Sequence, residues 1–83
     1  MGSGLILPRD QAEQLLGKLC VQLGLCIPPD EWLRLATEPP SEAIAFTDAV
    51  FLAEGLDPAT ADRHLYRQAR DIVIEAFRRA SNV

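Results

Sequence analysis

The chain has 83 residues, of which 48% are apolar and 24% charged, and its formal net charge at pH 7 is −4. This length suits one small domain, and the acidic balance disfavours a nucleic-acid-binding protein that works by neutralising phosphates. No apolar run reaches the ~18 residues of a membrane-spanning helix, and the start lacks a signal-peptide pattern, so we expect a cytoplasmic protein. Residues 1–4 have the composition of a flexible leader or a cloning remnant, which leaves a single helical domain over residues 5–83.

The first predicted helix begins at Pro8 and ends before Gly24, because proline suits the first turn of a helix and glycine commonly terminates one. Between them, apolar residues recur at steps of three and one, which is the pattern of a helix with one buried face. That apolar stripe consists of Ala12, Leu15, Leu16, Leu19, Cys20 and Leu23. The apolar residues 5–7 are too few to predict a strand.

An apolar connector, residues 25–27, leads to a short second helix that begins near Pro29 and ends at Pro39. Such a connector is not expected to be left in water, so it should cover another part of this chain or meet a partner. Trp32 on the second helix has the same two interpretations, a residue of the core or an anchor in an interface.

The third predicted helix covers residues 42–54 and is apolar on nearly all sides. Ser41 is the expected N-cap, and Gly55 followed by Leu56 predicts a Schellman C-cap. A helix of this composition is expected to be a central element of the bundle, or to present one face to another chain.

The fourth predicted helix is the longest and runs from Pro58 to about Ala80, with Asp57 as its carboxylate cap. A helix of this length measures ~34 Å and would span the domain. We expect Phe77 on its apolar stripe to share the core with Phe46 of the third helix. The predicted fold class is therefore all-α, an antiparallel bundle of three longer helices plus one short helix.

Charge is divided unevenly along the chain. Residues 1–57 contain nine acidic and three basic side chains, a balance of −6, whereas residues 58–83 contain five arginines and three acidic side chains, a balance of +2. Four arginines and one isoleucine of the fourth helix follow one another at steps of four, three, four and four, and therefore share one face. We call this face the basic row; it consists of Arg63, Arg67, Arg70, Ile74 and Arg78.

The basic row has three interpretations. It is a solvated surface whose charges pair locally, with Arg67–Asp71 and Glu75–Arg79 as the expected pairs. Alternatively, it is a docking face for an acidic or mixed partner, with Ile74 as an apolar anchor. Finally, a basic helix after Gly55 loosely suggests a helix-turn-helix, although the net charge of the chain would repel nucleic acid.

No motif in the sequence indicates catalysis or metal binding, and we expect no enzyme activity, no cofactor and no metal ion. Cys20 and Cys26 have neither redox-pair nor zinc spacing, and with His64, the single histidine, they supply fewer than the four ligands of a structural zinc site. We expect two reduced thiols, with a disulfide as the alternative. His64 is expected to be an ordinary histidine at the edge of the apolar stripe.

The properties of the chain favour a small all-α module that binds another protein or its own copy. In size, acidity and helix count it is similar to many small bacterial interaction proteins, including adaptor, immunity and antitoxin-like proteins, but no specific residues carry that similarity. The candidate partner-binding residues are Trp32 and the basic row. The alternative hypothesis is a nucleic-acid-associated helical protein that uses the same row. A third hypothesis is a protein with a small-ligand pocket between its helices.

Overall fold

The computed structural model describes residues 7–81, which form four α-helices and no β-strand. The helices are α1 (Arg9–Leu23), α2 (Pro29–Thr37), α3 (Ala43–Ala53) and α4 (Arg63–Ser81). The α1 helix packs against both α2 and α4, and α4 also packs against α3. The predicted all-α bundle of three longer helices and one short one is confirmed, whereas Leu5 and Ile6 of the predicted apolar run lie outside the described residues.

Most of the predicted helix boundaries are confirmed, because they depend on local backbone chemistry. Gly24 follows α1 with a φ of 74°, and Pro29 occupies the first turn of α2. After α3, Gly55 has a φ of 82°, and the backbone N–H of Leu56 donates to the carbonyl of Phe51 at 2.8 Å, as the Schellman motif requires. The prediction of Ser41 as the N-cap of α3 is wrong: the N-cap is Glu42, which makes no side-chain capping hydrogen bond.

The predicted start of α4 is also wrong, because the helix begins at Arg63 and not at Pro58. Residues 58–61 form a turn in which Asp57 accepts the backbone N–H of Ala59 through its side chain and that of Ala61 through its carbonyl. A second carboxylate, Asp62, then caps the helix by accepting the backbone N–H groups of His64 and Leu65. The shorter helix is about 28 Å long, against a longest molecular dimension of 36 Å.

The core contains apolar side chains from all four helices and from the connector before α2. Phe46 and Phe77 meet edge to face with their ring centroids 6.0 Å apart, as the predicted core requires. Leu25 and Ile27 are buried, so the apolar connector belongs to the core and offers no docking surface. The buried apolar residues are Leu7, Ala12, Leu15, Leu16, Leu19, Leu25, Ile27, Leu35, Ala36, Phe46, Val50, Phe51, Ala69, Val73 and Phe77.

Cys20 and Cys26 form a disulfide, which corrects the expectation of two reduced thiols. The left-handed backbone at Gly24 reverses the chain after α1, and the burial of Leu25 and Ile27 on either side of Cys26 holds the connector against the bundle. This path brings the half-buried Cys20 and the exposed Cys26 together. The disulfide therefore fastens the end of α1 to the connector.

Candidate docking surface on the last helix

The α4 helix presents different residues to the core and to the basic row. Ala69, Val73 and Phe77 are buried against the rest of the bundle. The members of the basic row lie on the other side of the helix, where Arg63, Arg67, Ile74 and Arg78 are exposed and Arg70 is half-buried. The row predicted from the spacing is therefore a surface feature of the folded protein.

The N-terminal half of the basic row lines a groove of about 190 Å³. Arg63, Arg67 and Arg70 form one side, and residues 58–61 of the turn before α4 contribute Pro58, Ala59 and Ala61. Tyr66 completes the lining, so no acidic side chain among residues 7–81 lines this groove. The late start of α4 creates the groove, because residues 58–61 would have continued the helix had it begun at Pro58.

Tyr66 is held in place beside the groove by α3. Its hydroxyl donates to Asp48 Oδ1 at 2.7 Å, and its ring centroid lies 5.2 Å from that of Phe51. The hydrogen bond to Asp48 raises the pKa of Tyr66, with a further rise from burial and from the charge of Asp48, while the charge of Arg70 acts in the opposite direction. Two fixed contacts to a neighbouring helix thus make this part of the groove rigid.

The three arginines of the groove are incompletely satisfied. Neither Arg63 nor Arg67 forms an ion pair or side-chain hydrogen bond with any residue among 7–81. Arg70 contacts Asp71 through one terminal nitrogen at 3.4 Å, a long contact to an exposed carboxylate. Its Nε is buried and has no hydrogen-bond partner in the part of the chain that the structure describes. A buried donor without a partner is unusual and calls for a ligand or a water molecule.

The C-terminal half of the row differs in character. Ile74 is 39% exposed, and Arg78 contacts Glu75 at 3.6 Å. Of the two predicted ion pairs, Glu75–Arg79 is present at 3.3 Å, whereas Arg67–Asp71 is wrong because Asp71 turns towards its neighbour Arg70. Such exposed pairs contribute little stability, so they leave the face available to a partner.

Trp32 and the apolar residues of α3, which are the other interface candidates from the sequence, lie partly in the core and partly on the surface. Trp32 is half-buried and packs on the core, where its ring covers Gly17 of α1. The α3 helix buries only one face, and on its outer side Ile44 is 47% and Leu52 64% exposed. The basic row and the outer face of α3 are therefore separate candidate surfaces.

A larger groove, of about 390 Å³, lies between α1 and α4. Its floor includes Leu15 and Ile72, but its lining carries charges of both signs, among them Asp10, Lys18 and Arg79. This lining differs from the closed apolar cavity that a small-ligand site between the helices would require.

Neither metal clusters nor membrane-spanning helices are found among residues 7–81. No three His, Cys, Asp or Glu side chains there are arranged to hold a metal ion, and no helix is both long and apolar enough to cross a bilayer. His64 is exposed, and Asp62 accepts the backbone N–H of His64 and makes no bond to its ring.

Sequence reasoning found the arginines of the groove but missed Tyr66 and the turn of residues 58–61. One signal was present for Tyr66, which lies three residues after Arg63 and four before Arg70 and so sits one helical turn from each. The turn carried a misleading signal, because Asp57–Pro58 is also a good helix start.

Comparisons with models of protein families, with curated proteins and with solved structures found no match.

Proposed function

We propose that this chain is a small helical interaction module that docks an acidic segment of a partner protein on its basic row. The observation that carries the proposal is the groove lined by Arg63, Arg67 and Arg70, in which three guanidinium groups face no acidic lining residue. In this reading the module acts as an adaptor, immunity or antitoxin-like protein does, by binding and without catalysing a reaction.

The basic row combines the features of a protein-docking face. Arginine is enriched at interfaces because its planar guanidinium forms two hydrogen bonds to a carboxylate at once. Ile74 adds an exposed apolar side chain one helical turn beyond Arg70. The remainder of the chain is acidic, which restricts an acidic partner to this one side through like-charge repulsion elsewhere.

The test is a titration with a short fluorescent glutamate-rich peptide that contains a single leucine, followed by anisotropy. We expect Arg63→Gln/Arg67→Gln to weaken binding about tenfold, since two charged contacts of modest strength are lost. The matched control is Arg9→Gln/Arg34→Gln, which removes the same charge from arginines paired with Glu13 and Glu31. Equal losses in both variants would show that only net charge matters and would refute a localised docking face.

Nucleic acid is the competing ligand of the same row. A short DNA duplex in the same titration at low salt distinguishes the two, because phosphate contacts are strongest there. Duplex binding that the peptide does not displace, or that is tighter than peptide binding, would overturn the proposal. The net charge of −4 leads us to expect no such binding.

Self-association through α3 is a second candidate, supported by the exposed side chains of Ile44 and Leu52. Sedimentation velocity over a range of concentrations tests it, with Leu52→Glu as the variant that should dissociate a dimer. A monomer at every concentration would refute this candidate and would not affect the proposal for the basic row.

The cytoplasmic location also stays a prediction, and the disulfide weighs against it because cytosolic thiols are usually kept reduced.

A further inference from the structure

The groove at the start of α4 contains more donor capacity than a carboxylate uses. Arg63, Arg67 and Arg70 each carry a positive charge, and no acidic side chain among residues 7–81 lines the groove to offset them. One carboxylate has a single negative charge and engages one guanidinium in a planar fork. A single carboxylate would therefore leave at least one of Arg63 and Arg67, which have no ion-pair partner among residues 7–81, without an opposite charge.

A phosphate group matches this arrangement better. Its charge is about −1.5 to −2 at neutral pH, and its three acceptor oxygens point in different directions, so several guanidinium groups can bind it together. The Nε of Arg70 is buried and has no hydrogen-bond partner among the described residues, whereas the side chain as a whole is 37% exposed, so its terminal nitrogens are the donors that a phosphate in the groove can reach.

The groove is built before any ligand arrives. Tyr66 is fixed by its hydrogen bond to Asp48 and its ring contact with Phe51, and the turn of residues 58–61 is closed by Asp57. Asp62 faces the backbone N–H groups at the start of α4 and already occupies the capping position there. The ligand must therefore be recognised by the arginine side chains and not by the helix terminus.

We infer that the groove receives a phosphorylated side chain of the partner segment, held by Arg63, Arg67 and Arg70. This inference rests on the proposed function, since the phosphate arrives on the docked acidic segment. Ile74, on the same face one turn further along, is placed to contact an apolar residue of that segment.

The experiment compares a glutamate-rich peptide that contains one phosphoserine with the same peptide carrying serine, both titrated against the folded chain. We expect the phosphopeptide to bind at least about tenfold more tightly, in line with the strength of multidentate arginine–phosphate contacts. Inorganic phosphate should displace the phosphopeptide more effectively than acetate does at equal ionic strength.

Arg70→Lys is the decisive variant, because it keeps the charge but removes the planar fork of the guanidinium. The readout is the ratio of the two peptides' affinities, and we expect the variant to lose most of the parent chain's preference for the phosphopeptide. Arg34→Lys, at an exposed arginine paired with Glu31, is the matched control and should change neither affinity. Thermal unfolding of each variant establishes that it is folded.

Each outcome has a distinct meaning. If both peptides bind equally well, the phosphate site is refuted and the proposed docking face stands. If neither binds, the proposed function fails and the phosphate site fails with it. If the phosphopeptide is preferred but Arg70→Lys keeps that preference, the assignment of Arg70 is wrong. If a DNA duplex outcompetes the phosphopeptide, the site belongs to nucleic acid and the inference is overturned.

Discussion

Reduction of the Cys20–Cys26 disulfide should destabilise the protein without unfolding it. The bond closes a ring of seven residues, counted with both cysteines, from their sequence separation of six. In the chain-entropy model a ring of this size removes about 8 cal/mol/K from the denatured chain, or ~2.4 kcal/mol at 25 °C. A chain of 83 residues is expected to have a total stability of about 4–12 kcal/mol, so most of the fold should survive reduction.

The folded state gives a reason to expect that the connector stays in place after reduction. Leu25 and Ile27 are buried in the core, and the left-handed Gly24 turns the chain, so we expect the connector to keep its position without the bond. The loss should therefore arise mainly in the denatured state, and a Cys20→Ala/Cys26→Ser variant should unfold like the reduced parent chain. A much larger loss in the variant would indicate that the half-buried Cys20 site does not accept alanine.

The assay is thermal and urea unfolding, followed by circular dichroism, with and without reductant. We expect the midpoint of thermal unfolding to fall by about 10–20 °C on reduction, since 1 kcal/mol corresponds to roughly 4–8 °C in a domain of this size. Thiol titration of the denatured, unreduced protein should detect no free thiol. Two free thiols would refute the bond itself, and a stability change below about 0.5 kcal/mol would refute the entropic reasoning.

Four further substitutions have effects whose direction follows from the structure. Phe46→Ala should cost about 3–5 kcal/mol, measured by urea unfolding, because it leaves a cavity beside a fully buried ring; a loss below ~1 kcal/mol would contradict the core assignment. Tyr66, the only tyrosine, should ionise above its usual pKa of about 10 in absorbance titrations of the folded protein. Its contribution to stability is present below the unfolded-state pKa and is lost as pH rises through the higher folded-state pKa, so Tyr66→Phe should remove this alkaline loss. Gly17→Ala should stabilise the fold by up to ~1 kcal/mol, because alanine favours a helix and its Cβ would lie 3.7 Å from the nearest side chain. Gly55→Ala should destabilise the fold, because Gly55 has a φ of 82°. Thermal unfolding of both variants tests this pair: the midpoint should rise for Gly17→Ala and fall for Gly55→Ala.

The helix boundaries could be predicted wherever one local signal dominated. Gly24 and Gly55 end their helices as expected, because glycine adopts the left-handed backbone conformation without the steric strain that a Cβ atom would cause. The start of α4 was predicted wrongly, because Asp57 followed by Pro58 is a strong local signal for a helix start. The structure uses Asp57 to close a turn, and Asp62 caps the helix.

Tertiary features were predicted less completely than local ones. The register of the basic row follows from helical periodicity alone; four of its five members are exposed, and Arg70 is half-buried. Which guanidinium meets which carboxylate depends on side-chain rotamers, so the pair Arg67–Asp71 was wrong although Glu75–Arg79 was right. The disulfide was considered only as the alternative to two reduced thiols, because the contact between Cys20 and Cys26 depends on the path of the chain after Gly24 and not on their spacing.

The packing order of the helices has a consequence for how the chain folds. Within the described residues, α1 packs on its sequence neighbour α2, and α3 on its neighbour α4, while α1 and α4 join the two pairs. Contacts between sequence neighbours close short loops at low entropic cost, so we expect each pair to assemble early and quickly. The association of α1 with α4 closes the longest loop, so we expect it to come last, and substitutions between these two helices should speed unfolding more than they slow folding.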